Sequence, residues 1–477
     1  MLTRIIRHEW RSLTADATLA IVAAVFAGAV AYGVWTGTQW VSFQSTAIAT
    51  ATTEQSNRYR QLAGQLAQLA SPGAAVSAFA DPRDPANFGS RLGPRYAILP
   101  PAPLAALSVG QSDLLPYYFK VTTDARENLV SASEIENPSR LQAGRFDLSF
   151  VVIFLLPLLI LAVSYNMLSA EREQGTLALA LSQPLSAGRL VLGKVALRVL
   201  LLGAVVAAVS VIAVLGGGVN LAGPNALVQL LFWAIAVACY GAFWFALAVA
   251  VTSLGWPSTT NAAALAAAWL VLTVMLPALF NLAATTLFPV PSRVEMIQAT
   301  REASDAASQQ GSVALARYYE DHPELATGDA AQAMADASKV RVAIANDVEA
   351  RVRPVVQRYE SQIAAQQRLV DRLRFLSPAI LMQNVLNDVS GTGTDRHQWF
   401  LSQVTAYHAQ WREYFVRKIF ARSKVTDLGE VPAFVFAEEP LAMVAGRIGV
   451  NVVALFVIAG VIGGAGWWRL RRYAVVA

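Results

Sequence analysis

Five places in this chain carry residue types that could do chemistry. Ser169-Ala170-Glu171-Arg172-Glu173-Gln174-Gly175-Thr176-Leu177 sets two carboxylates and an arginine beside a glycine that permits a tight turn, just before an apolar run. Such a turn either caps a helix or offers both signs of charge to a docking partner. Gly188-Arg189-Leu190-Val191-Leu192-Gly193-Lys194-Val195 has the GxxxxGK spacing of a phosphate-cradling loop, but Val195 stands where a hydroxyl would hold magnesium. It also runs into an apolar stretch instead of following a strand, so nucleotide chemistry is not expected of this chain. His8-Glu9 opens an HExxH pattern that Ser12 breaks at the second ligand. His397 and His408, if helical, stand about 16 Å apart along the axis and cannot share a metal. Cys239 is alone in an apolar run and excludes a disulfide within the chain. No GxSxG motif and no paired carboxylates within apolar runs point to hydrolysis or proton pumping.

The elements that must position these residues follow from composition. Of the 477 residues 55% are hydrophobic and 14% charged, against about 25% charged in soluble domains. Long stretches carry no charge, whereas 292–376 and 395–439 resemble ordinary soluble protein. A membrane helix needs about 20 mostly apolar residues. Six segments qualify: 17–37, 148–168, 192–216, 226–252, 261–286 and 444–467. The net charge of +5 sits beside these runs and is a topology signal, not a nucleic-acid surface. Arg4, Arg7 and Arg11 precede the first span, and Arg469, Arg471 and Arg472 follow the last. Arg172, Arg189, Lys194 and Arg198 lie in or beside the connection between spans two and three. In a six-span layout all fall on one face, which is then cytoplasmic. Trp35 and Trp40, with Trp467 and Trp468, have the spacing of two interfacial belts. The first apolar run is too long for a signal peptide and follows an amphipathic stretch (Ile5, Ile6, Trp10), so it is expected to remain as a span.

The expected fold is an all-α polytopic membrane protein with both termini cytoplasmic and a mostly helical extracytoplasmic domain. It divides into a cytoplasmic amphipathic helix at 1–16, a first extracytoplasmic insertion at 38–147, a cytoplasmic loop and helix at 169–191, a helical extracytoplasmic domain at 287–443 and a cytoplasmic tail at 468–477. The first insertion begins helically from Ser45 to Leu69, as if continuing span one. It then passes through Pro82, Pro85, Pro94, Pro100, Pro101 and Pro103, and Leu115 to Thr122 has the pattern of a short strand. In the second insertion Val348, Val352, Val355, Tyr359, Ile363, Val370 and Leu373 form one helix face, Ser377-Pro378 stops it, and a further helix is expected from His397 to Ala421.

The string EREQGTLALALSQPLS, followed by Gly193-Lys194 at the entry to span three, resembles the ABC-2 type permease family, as do the six-span layout and the amphipathic helix ahead of span one. The stretch from Arg374 to Phe415 is similar to a subgroup with large helical extracytoplasmic insertions of unknown function. The Pro-rich first insertion matches nothing in that pattern. The resemblance implies that the loop after span two couples to a separate ABC ATPase, with Glu171, Arg172, Glu173, Gly175 and Thr176 as contact residues. It implies ATP and magnesium on that partner and none bound by this chain, a bacterial inner membrane, and two permeases per assembly. Ala29 and Gly33 in span one, and Gly460 and Gly464 in span six, are small-xxx-small pairs that serve either internal packing or that permease interface, span one being the better candidate.

The leading functional expectation is the permease half of an exporter. Alternatives are a mechanotransmission subunit acting on a periplasmic partner, a membrane receptor, whose output module the short inner segments leave no room for, and a membrane enzyme, for which the spans offer no catalytic constellation. Membrane lipid is an expected partner. Asn220, Asn261, Asn281 and Asn451 lie in or near spans, where helix packing explains them as readily as transport.

Overall fold

The computed structural model describes residue 9 and residues 17–71, 76–125, 146–182, 186–216, 219–223, 225–325 and 336–472. Among these, six helices are long and apolar enough to cross a membrane. They are α1 (Ala17–Leu69), α2 (Leu148–Glu173), α4 (Ala187–Gly216), α5 (Ala226–Thr252), α6 (Ser258–Leu287) and α12 (Leu441–Arg471), called spans 1 to 6. The short α3 (Thr176–Leu181) joins spans 2 and 3. The helix expected from Ser45 to Leu69 is continuous with span 1 in α1, whose 53 residues extend about 80 Å.

Spans 1, 2, 4 and 6 share one core built on Val30, Val151, Ile160, Tyr240, Trp244 and Leu455. Glycines in span 1 allow backbone contact: a Cβ at Gly33 would meet the Asp147 carbonyl carbon at 2.8 Å, and one at Gly37 the Ala106 oxygen at 2.0 Å. Spans 2 and 5 each contain a π turn, at Val151–Leu155 and Leu270–Met275, and in each a proline follows shortly, Pro157 and Pro277. Proline lacks an N–H and crowds the carbonyl four residues back, so each span has carbonyls without a helical donor. In an apolar setting these must be satisfied from elsewhere. The Tyr240 hydroxyl of span 4 donates to Ile153 O at 2.8 Å, and Trp269 Nε1 donates to Phe154 O at 3.2 Å. In span 5 the Ser377 hydroxyl donates to Leu272 O at 2.8 Å.

That last bond places residues of the second insertion inside the bundle. The insertion forms α7 (Arg293–Gln309), α8 (Gly311–Asp321), α9 (Ala337–Leu373), α10 (Pro378–Ser390) and α11 (Thr394–Phe420). The Val348–Leu373 stripe is the inner face of α9, with Val348 and Val352 buried. Ser377-Pro378 ends it as expected, but also starts α10, with Ser377 as N-cap and Pro378 in the first turn. Leu381, Met382, Val385, Leu386 and Val389 of α10 are fully buried in the core of the spans. The segment 287–443 is therefore not wholly a separate domain, because the apolar face of this helix is buried in the bundle.

The rest of both insertions folds together. Leu62 of α1 and Phe88, Phe119 and Val121 of the first insertion share a core with Phe400, Trp411 and Phe415 of α11. The strand expected near Leu115 to Thr122 is β2 (Tyr118–Val121), paired antiparallel to β1 (Arg95–Ile98) with Arg95 opposite Val121. Trp40, expected in an interfacial belt, is instead buried under the first insertion, its Nε1 donating to Ser112 Oγ at 3.0 Å. Trp35 and Trp468 are exposed.

Candidate functional site

The loop after span 2 lies at one end of the bundle together with Glu9 and the last turn of span 6. Leu168 and Leu177 pack with Leu190, Val191 and Leu470, and the side chain of Glu9 reaches α4. This is the termini end; the opposite, domain end carries both insertions. Span 2 turns at residues 165–168 and resumes as a short helix from Ser169 to Glu173. Gly175 then takes a left-handed conformation, φ 72°, which favours glycine and lets the chain reverse into α3. Thr176 Oγ1 donates back to Glu171 O at 3.1 Å.

The charged side chains of this turn all bond other parts of the protein, Glu171 and Arg172 half-buried and Glu173 exposed. Glu171 Oε1 accepts from Lys194 Nζ at 2.8 Å. Lys194 also lies 3.6 Å from Glu9 Oε2, and Arg198 Nη2 bonds Glu9 Oε1 at 2.6 Å. The Lys194, Glu9 and Arg198 side chains are 6–8% exposed. Arg198 lies about 16 Å into α4, and charges within apolar helices persist only when paired. Here two acids balance two bases. Among the described residues the balance is incomplete in hydrogen bonding, since Glu171 Oε2 and Arg198 Nε and Nη1 are buried there without partners. Arg172 Nη1 donates to Gly255 O, in the turn between spans 4 and 5. Glu173 accepts from Ser258 N at 2.6 Å and from Ser258 Oγ at 2.9 Å, so a carboxylate caps the N-terminus of span 5, where the helix dipole favours it. Ser169 Oγ lies 2.8 Å from Ser258 Oγ, and since the single Ser258 proton goes to Glu173, the Ser169 hydroxyl donates to Ser258 Oγ.

Of the five residues singled out in sequence, Glu171, Arg172 and Glu173 thus bind the loop to the N-terminal segment and to spans 3 and 5, while Gly175 and Thr176 are exposed with Gln174. Leu177 is buried, and Leu179 is 73% exposed on the outer face of α3. Sequence reasoning missed Glu9, Ser169, Ser258, Gln174 and Leu179, and counted Lys194 and Arg198 only as topology signals. The usable signal was that Lys194 and Arg198 sit inside an apolar helix and so require acidic partners.

The small-residue pairs fall into two kinds. Gly33 is buried within the chain against Asp147, and Ala29 packs at the edge of the core. Gly460 and Gly464 are exposed, with open space where a Cβ would stand. Lys194 of the GxxxxGK stretch is helical and ion-paired; of the HExxH stretch, His8 and Ser12 lie outside the described residues. His397 and His408 share α11 and bond separate carbonyls of the first insertion, Pro116 O at 3.0 Å and Asp124 O at 2.9 Å. Burial lowers the His397 pKa, opposed by the bond to Pro116. No group of three metal-ligating side chains occurs among the described residues.

A family model described as a domain of unknown function (DUF3526) matches residues 293–437. The match begins with α7, contains the Arg374–Phe415 stretch and includes α10, and it ends ahead of span 6. No curated protein matches the chain.

Proposed function

We propose that this chain is the membrane permease subunit of an ATP-driven exporter of the ABC-2 type, docked to separate ATPase subunits through the loop after span 2. The observation that carries this is the division of labour within that loop. Glu171 is drawn inward to Lys194 of span 3 and Glu173, itself exposed, caps the first turn of span 5, while Gln174, Gly175, Thr176 and Leu179 face outward. A push on the exposed turn is thereby delivered to several elements at once, as a switch between two packings requires. In this reading the termini end is the cytoplasmic face of a bacterial inner membrane, ATP and magnesium belong to the partner, and a second permease completes the assembly.

The docking residues are revised accordingly. Charge reversal at Glu171 and Glu173 would break internal bonds as well as any contact, so the discriminating substitution is Leu179→Asp. Co-purification with the ATPase encoded alongside is expected to fall at least tenfold in L179D while the purified chain melts normally. Undiminished co-purification would sink the docking assignment.

A second reading, mechanotransmission to a periplasmic partner, is favoured by α1. This one helix runs from the termini end to the domain end, where Leu62 enters the second core and Tyr59 Oη donates to Gly93 O at 2.6 Å. Spin labels on α1 near residue 62 and on β2 should change separation with ATP turnover only if force is transmitted there.

A further inference from the structure

Spans 2, 3 and 4 line an open-sided cleft of about 610 Å³. We propose that it holds one acyl chain of a membrane phospholipid as a resident ligand, separate from the surrounding annular lipid. The proposal does not depend on the transporter reading.

The lining chemistry selects the occupant. Among the described residues the lining is apolar, from Leu156 and Ile160 of span 2 to Leu230 and Phe245 of span 4. Sites for soluble small molecules place a few polar groups to fix orientation, and water needs two or more polar partners. Neither is provided for. On span 3 the lining runs from Val199 to Leu215, about 24 Å along the helix, compared with roughly 15 Å for one leaflet of a 30 Å hydrocarbon core. A whole acyl chain therefore fits lengthwise.

The walls are also built of residues that would otherwise close. Gly203 and Ala207 on span 3, and Ala234 and Ala238 on span 4, line the cleft at four-residue spacing, the pattern that lets helices touch. Yet a Cβ at Gly203 meets nothing within 4 Å. Small residues that do not bring their helices together leave a groove one chain wide, and in a bilayer acyl chains are the molecules at hand to fill it.

The test uses the full chain purified in mild detergent and examined by native mass spectrometry. Wild type is expected to retain one phospholipid per chain, with head groups in the proportions of the source membrane. The double variant Gly203→Leu/Ala238→Leu, built into open space, should retain at least tenfold less, and Gly28→Leu, in equally open space on span 1, should retain it fully. Equal retention in the double variant, or none in wild type, overturns the proposal; so does strong enrichment of one lipid class, which would mark a transported substrate. Trp233 gives a reading that needs no filled cleft, because it lines the cleft yet is buried from the surrounding bilayer. In vesicles of chain-brominated phosphatidylcholine, the fluorescence lost on Trp233→Phe should already be quenched in wild type. An unquenched Trp233 contribution contradicts an acyl chain beside it.

Discussion

At the termini end of the bundle two acids meet two bases, whereas at the domain end three acids surround one. Arg447 of span 6 bonds Asp388 Oδ1 at 3.0 Å and Glu439 Oε2 at 2.8 Å, and Asp395 Oδ2 lies 3.8 Å away. The first cluster joins the loop after span 2 to the spans; the second joins α10 and the start of α11 to span 6. Within the acid-rich cluster the Asp388 side chain is buried, and burial disfavours its charged form. Burial pushes Asp388 up to about 6 despite the Arg447 charge beside it, and Asp395 and Glu439 push the same way.

The largest effect should come from unbalancing the termini end. Lys194→Met leaves Glu171 and Glu9 with one base between them, and removing one partner of a buried pair costs about 3–5 kcal/mol. Thermal unfolding in detergent should show this, and the matching loss at Arg447 should be smaller because its side chain is 28% exposed. Equal losses would erase the distinction between the two ends. Tyr240→Phe acts between them. It leaves Ile153 O without its donor, at a cost of about 1–3 kcal/mol, and should accelerate hydrogen exchange in the π turn of span 2 before either end is affected.

The domain end should then show a pH dependence that traces to Asp388. The ordinary Asp value is 3.8 and the folded value about 6, so between these the folded state binds the extra proton. Acidification through pH 6 therefore stabilises, by about 1.4 kcal/mol for each unit below 6 until the unfolded carboxyl also titrates. Asp388→Asn should abolish the rise in melting temperature between pH 7.5 and 5; a rise that persists would assign it to another group. Glu173→Gln should have the smallest effect of the four, since the amide oxygen still accepts from Ser258 N. Its signature is exchange at the first turn of span 5, not global melting.

What was legible in the sequence follows the range of the interactions. The six spans were, because length and apolarity are local, and Ala226–Thr252 ends where the apolar run ends. The α9 stripe and α11 were legible from helical periodicity, and Ser377-Pro378 from the restriction proline places on its predecessor. The 13 residues of α10 are too few to cross a bilayer, so nothing local marked them as bundle core. No local signal joined Phe88 to Phe415 across the two insertions, although their rings stack at 5.7 Å. The candidate loop was half legible. Its residue types announced a charged turn, but which way Glu171 and Glu173 point is set by Lys194 and Ser258, remote in sequence. Only Gly175, whose conformation is its own, behaved as its type alone predicted.

The most direct test of the proposed docking site is site-specific photo-crosslinking in the intact membrane. If the proposed docking site is right, a benzophenone side chain at Leu179 should capture an ABC ATPase, and capture should change in yield when ATP is exchanged for a non-hydrolysable analogue. The same probe at Leu177, which is buried against Leu470, should capture only the chain itself. Crosslinks from Leu179 to lipid alone, with the ATPase captured from no position in the loop, would contradict the account.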